Sequence, residues 1–240
     1  MFFKNQSQES NLQVEELESI IAPLGTFAYF SYYAYSSFYY YDSYYYYVNG
    51  NWFYNNYNNF INGSNAADTI YGTSFTDYIY GYGGNDSIHA GAGSDYVDGG
   101  AGNDLINGGT GNDTLLGWSG DDTINGDAGS DYIYGEAGND TLNGGADNDF
   151  IVGGAGSDAI TGGTGNDVIY GGDASYSTGV DAADNISGGD GADTIYGQAG
   201  NDVLNGDAGN DFIDGGIGND TINGGIGDDR LNGGDGADNI

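Results

Sequence analysis

From residue 70 onward a large aliphatic side chain recurs every nine residues, at Ile70, Ile79, Ile88, Val97, Ile106, Leu115 and onward to Ile240. That period is neither the 3.6 of a helix nor the 2 of a long amphipathic strand; it is the period of a repeat architecture. The residues flanking each aliphatic are mostly Thr, Asn, Tyr or Asp, so each copy predicts a very short strand with one side chain turned inward. Between the strands lie glycine-rich stretches, which predict turns. The pattern therefore predicts an all-β solenoid of short parallel strands joined by turns.

Read from Gly63, the phase holds to Tyr170 and again from Gly179 to Ile240, giving nineteen units. Position eight is Ile, Val or Leu in every unit, and position six is Asp in every unit. Position one is Gly in all but one, where Ala90 stands, and position four is Gly in fifteen. Glycine at fixed offsets marks backbone of positive φ or close approach. Residues 171–178 are eight extra residues, which lengthen one turn of an otherwise continuous solenoid. The resulting loop brings in Asp173 and Asp181 as further acids.

Charge changes the picture. The chain of 240 residues carries 36 acidic and 2 basic residues, a net charge of −34, with 48 Gly, one His and no Cys. No Cys excludes disulfides and thiolate metal sites. Two basic residues exclude a phosphate-tracking nucleic-acid binder and a polybasic membrane anchor. No apolar run is long enough for a membrane span. A folded state must neutralise the acids with protons or bound cations. One carboxylate per nine residues beside exposed turn carbonyls suits calcium, which takes about six to eight hard oxygens. One unit supplies too few, whereas two units stacked eighteen residues apart place a cation between Asp(i) and Asp(i+18).

The unit GGxGxDxUx, as in Gly99-Gly-Ala-Gly-Asn-Asp-Leu-Ile-Asn107, resembles the RTX (repeats-in-toxin) calcium-binding nonapeptide. The resemblance covers 63–240 and implies a right-handed parallel β-roll with two nonapeptides per turn. It implies that the first six residues of a unit form the calcium turn and the last three the strand. Carried over position by position, it implies carboxylate ligands at Asp86, Asp95, Asp104, Asp113, Asp122, Asp131, Asp140, Asp149 and Asp158. It implies the same for Asp167, Asp184, Asp193, Asp202, Asp211, Asp220, Asp229 and Asp238. Turn carbonyls would complete the shells, with Gly99, Gly102, Gly108, Gly111, Gly153, Gly156, Gly162, Gly165, Gly215, Gly218, Gly224 and Gly227 as candidates. Roughly 15 Ca²⁺ would then nearly cancel the net charge of −34. Asp68 and Asp77 belong to degraded units, with Ala66 and Phe75 at position four, whose turns are expected to bind weakly or not at all and to cap the roll.

Residues 1–25 read as a tail or leader-like helix, with the apolar stripe of Ser10–Ile21 stopped by Pro23. Residues 26–62 form a Tyr- and Asn-rich low-complexity segment, an expected aromatic cap or a site of cell-surface, matrix or self-association. Tyr78, Tyr96 and Tyr132 at position seven are expected on one outer face, and Asn107, Asn125 and Asn143 at position nine on the other. His89 is expected at the surface. Thr110/Asn112 and Thr164/Asn166 are too far apart to form an ice-binding array. No nucleophile–base pair can be named, so no enzyme is expected. The chain thus reads as a secreted, calcium-binding structural or adhesive protein. The alternative is a module or truncated fragment of a larger type I-secreted toxin or hydrolase, suggested by the stop inside a unit at Ile240.

Overall fold

The computed structural model describes residues 59–172 and 181–240, together with the backbone of strands Tyr44–Val48 and Asn51–Asn55. The helix expected over Ser10–Ile21, most of the Tyr-rich segment, and Asp173 lie outside the described residues. The strands Tyr44–Val48 and Asn51–Asn55 form an antiparallel pair.

The repeats wind into an all-strand parallel solenoid of about nine turns. Successive strands alternate between two sheets. One has ten strands, from Phe60–Asn62 to Arg230–Asn232; the other has nine, from Thr69–Tyr71 to Thr221–Asn223. Each strand pairs with the strand two units on, so Ile106 lies beside Ile124 and Ile124 beside Leu142. The offset of eighteen becomes 26 at the inserted loop, where Asp158 N–H reaches Asp184, and the register then resumes.

Strands of the central turns are six residues long rather than three. They run through positions seven to nine and on into the next unit, but the pairing skips position one. Leu105, Ile106 and Asn107 pair with Thr123, Ile124 and Asn125; Gly109 and Thr110 then pair with Asp127 and Ala128. The chain bends at the skipped glycine.

Burial alternates along this path. Asp104, Ile106 and Gly108 are buried, while Leu105 and Asn107 face outward. Positions six, eight and one thus share the inside, as the period of two in an extended chain requires. The aliphatic residues stack into one continuous core from Ile61 to Ile222. The carboxylates lie at the two edges of that core, inside the turns.

The solenoid begins one strand earlier than its glycines predict. Ile61 is 1% exposed and pairs with Ile79, and Asn59 occupies the place that Asp takes in later units. The outer face of the ten-stranded sheet carries Phe60, Tyr78 and Tyr96, then Tyr132, Phe150, Tyr170, Tyr196 and Phe212, ring against ring along the axis. The outer face of the nine-stranded sheet carries an amide column in which Asn125 Nδ2 donates to Asn107 Oδ1 at 3.1 Å. His89 lies in that column, 3.2 Å from Asn107 and stacked on Tyr71.

Candidate metal centre

Each repeat aspartate starts a strand just after a turn and points back inside it. From Asp86 to Asp220 all the repeat aspartates are 0–3% exposed. Their Oδ1 atoms accept the backbone N–H of the aspartate one turn earlier. Asp104 N–H donates to Asp122 Oδ1 at 2.8 Å, and Asp122 N–H to Asp140 Oδ1 at 2.8 Å. The ladder runs unbroken on both edges, reaching Asp229 and Asp238 at 3.0 Å.

The second oxygen is different. From Asp86 through Asp220, Oδ2 of every repeat aspartate is buried and has no hydrogen-bond partner. In Asp77 it is Oδ1 that lacks one. Oδ2 faces the position-one glycine of its own unit. A Cβ on Gly99 would stand 2.6 Å from Asp104 Oδ2 and 3.2 Å from the carbonyl oxygen of Gly117, one turn on. A Cβ on Gly108 would stand 2.6 Å from Asp113 Oδ2 and 2.9 Å from the carbonyl oxygen of Gly126. Gly153, Gly162 and Gly215 have the same surroundings, and Gly224 faces Asp229. The missing side chain leaves a cradle edged by one carboxylate oxygen and one carbonyl.

The position-four glycines do another job. Gly111 has φ +126°, and a Cβ there would collide with the carbonyl oxygen of Gly93 in the turn below. Gly102, Gly156, Gly165, Gly218 and Gly227 are packed the same way against the turn beneath. They let the turns stack at strand spacing. Asp147 holds this position at φ +78°, in the region that Asp tolerates best after Gly and Asn.

Burial raises the carboxyl pKa values, against the lowering effect of the backbone hydrogen bond. Asp86, Asp122, Asp131, Asp149, Asp158 and Asp202 are pushed up to about 7, and Asp184 to about 8. Asp95, Asp104 and Asp193 reach about 6. Asp77, Asp113, Asp140, Asp167, Asp211 and Asp220 are raised for the same first reason. Neighbouring rungs add repulsion: Asp104 and Asp140 both raise Asp122.

The ends of the ladder depart from this arrangement. Asp68 and Asp77 face Ser64 and Thr73 instead of a position-two glycine. Ser64 donates its N–H and hydroxyl to Asp68 Oδ2 at 2.7 and 2.8 Å; Thr73 does so to Asp77 Oδ2 at 2.6 and 2.9 Å. Donors of the chain itself therefore fill the role left open elsewhere. Asp229 and Asp238 are only half-buried.

A second ladder escaped the sequence reading. Position five is commonly Asn, Asp or Ser, and its side-chain oxygen accepts the N–H of position five one turn on. Asn103 N–H donates to Asn85 Oδ1 at 3.0 Å, and Asn139 N–H to Asp121 Oδ1 at 2.9 Å. It runs opposite to the aspartate ladder, so the two together satisfy consecutive turn amides from above and below. Its signal was the short polar residue that precedes most of the repeat aspartates.

The donor set is all hard oxygen: carboxylate, glycine carbonyl and no sulfur or clustered imidazole. Among the described residues no three carboxylates or imidazoles converge on one point, so each turn offers its acids singly, beside backbone oxygens. Orphaned buried oxygens in glycine cradles fit a hard cation such as calcium. Also among the described residues, no helix is long and apolar enough to cross a membrane.

A family model described as RTX calcium-binding nonapeptide repeat (4 copies) matches residues 55–79, 71–106, 98–133, 117–151, 125–160, 152–175, 178–213 and 205–240. No curated protein matches the chain. With the repeats matched over most of its length and stacked as a β-roll whose buried acids lack partners, the chain belongs to the RTX calcium-binding nonapeptide-repeat family.

Proposed function

We propose that this protein is a secreted structural or adhesive protein whose β-roll folds when extracellular calcium binds between its stacked turns. The observation that carries the reading is the row of buried aspartate oxygens without partners on a chain of net charge −34. Each unsatisfied buried polar group costs about 1–3 kcal/mol, and more when charged. The row comprises sixteen aspartates, so their combined cost outweighs the about 5–15 kcal/mol by which a domain is usually stable.

Calcium, when bound, supplies the positive charge that offsets this cost. The chain supplies the rest. Asp86 to Asp220, with Asp229 and Asp238 at the exposed end, would present carboxylates. Position-one and position-four glycines, among them Gly99, Gly102, Gly108 and Gly111, would present carbonyls and leave room. The aspartate ladder holds each carboxylate in place through Oδ1 and leaves Oδ2 to the cation. Extracellular modules bind calcium at about 10⁻⁴–10⁻³ M, far above cytosolic levels. The chain would then stay unfolded inside the cell and fold outside it, where binding free energy becomes folding free energy. Adhesion is assigned to the Tyr-rich residues 26–62 and to the aromatic outer face of the ten-stranded sheet.

The test is far-UV circular dichroism in chelator, followed by calcium to about 10 mM with magnesium in parallel, a range set by the expected affinity. A cooperative change from coil to β with calcium alone is expected. A β spectrum already present in chelator at neutral pH would overturn calcium-dependent folding.

A further inference from the structure

The lengthened turn changes the oxygens beside it. Gly171 keeps ordinary surroundings: a Cβ there would meet Asp184 Oδ2 and, at 2.8 Å, the carbonyl oxygen of Gly197. Its neighbour Gly172 is unlike the other described position-two glycines. At Gly109 or Gly163 a Cβ would run into backbone of the turn below. At Gly172 it would meet Asp181 Oδ2 and, at 3.0 Å, Gln198 Oε1. Three side-chain oxygens and one carbonyl oxygen therefore gather over two adjacent Cα atoms.

One further observation points to a ligand. Asp184 is 2% exposed, and its Oδ2, aimed at this spot, has no hydrogen-bond partner. Asp181 Oδ1 accepts the N–H of Ala182 at 3.0 Å, which fixes the carboxylate with its other oxygen toward Gly172. The charge of Asp181 is felt by three successive rungs, Asp158, Asp184 and Asp202. Asp127 and Asp207 each act on two rungs from position two of a uniform unit, whereas Asp181 acts on three from the lengthened turn.

We infer that the lengthened turn holds a divalent cation more tightly than the uniform turns do, with Asp181 and Gln198 adding oxygens that the nonapeptide itself lacks. The inference rests on reading the uniform turns as calcium sites. Ligand number and ligand charge set calcium affinity, and this turn has more of both. Its ion would load first and leave last. It would clamp the two stretches of solenoid together at the one place where their chain connection is long.

The full chain, loaded with calcium and dialysed against buffers of stepped free calcium, is analysed for bound metal by atomic emission. Wild type is expected to keep one ion at a free calcium about tenfold below the level at which the others leave, since calcium affinity rises with ligand charge. Asp181→Asn should abolish that step. Asp190→Asn, which removes an exposed acid elsewhere, should keep it. A wild-type curve without a tight step, or an Asp181→Asn curve superimposable on wild type, overturns the inference. A wild type that binds no calcium overturns the parent reading instead. If Asp181→Asn gives no β signal even in excess calcium, Gln198→Leu is decided on the same two outcomes.

Discussion

The centre and the edges of this solenoid are built from the same nine residues and have opposite needs. At the centre, Ile106, Ile124 and Leu142 lie directly over one another, each 0–1% exposed, with every contact supplied by the chain. At the edges, Asp104, Asp122 and Asp140 are as deeply buried, yet each keeps one oxygen that nothing in the chain satisfies. The centre is complete; the edges are not. A fold whose core is finished but whose rims are charged and unpaired can be held in check by its solvent, through protons or cations, without any moving part.

The sharpest way to break this contrast is pH. An unfolded aspartate titrates near 3.9, whereas burial raises Asp95 to about 6, Asp131 to about 7 and Asp184 to about 8, and shifts their neighbours on the ladder upward for the same reason. Between about pH 4 and 8 the folded chain therefore holds more protons than the unfolded chain, and its metal-free stability falls as pH rises through that window. In chelator, the β signal is expected at pH ~5 and its loss by pH ~8.5, above the raised values. A circular dichroism signal flat across that range would show that the edges do not control the fold.

Next in size is the centre itself. Ile133 is fully buried in the stack, and Ile133→Ala should cost about 2–5 kcal/mol in saturating calcium, read as a lower denaturant midpoint. Asp131→Asn, two residues away, should differ in sign with conditions. With calcium it should lose an ion from the metal count and about 1.5–3 kcal/mol, the value of a hydrogen bond to a charged group. In chelator at neutral pH it should raise the β content above wild type, because it removes a buried charge. The same sign in both conditions would mean that Asp131 is a structural residue only. The smallest effect is expected outside the ladder of acids. Asn112 Oδ1 accepts Ser130 N–H at 3.2 Å at an exposed position, and Asn112→Ala should cost about 0.5–1.5 kcal/mol with the metal count unchanged.

The outer faces give a quieter version of the same contrast. Tyr78, Tyr96 and Tyr132 fall on the ten-stranded sheet and Asn107, Asn125 and Asn143 on the nine-stranded one, as their spacing implied. Tyr170 and Tyr196 stack at 4.9 Å with planes 12° apart, so ring faces are spent on one another along the axis.

Much of the roll was legible because one side chain of fixed type recurs at a fixed period. Ile88 or Leu204 could be placed without coordinates. The first strand was not legible: Asn59 replaces the acid and residues 54–62 contain no glycine, so only Ile61 kept the phase. Strand length was missed as well, because the frequent glycine at position two and the mostly small residue at position three of a unit read as turn in sequence. Parallel pairing turns it into strand, as at Gly109 and Thr110. The position-five ladder was hidden in residues that suit any loop.

The sequence by itself determined the period, the sheet assignment of every repeat and the number of acids, since these follow from counting and from alternation along an extended chain. Only the tertiary structure decided which oxygen of each acid is spent and which is left. That depends on the turn below supplying an N–H to Oδ1 and on position-one glycine leaving space before Oδ2. It also depends on the lengthened turn, where folding sets Asp181 and Gln198 beside Gly172. Residues distant in sequence meet there because parallel pairing resumes in register across the insertion.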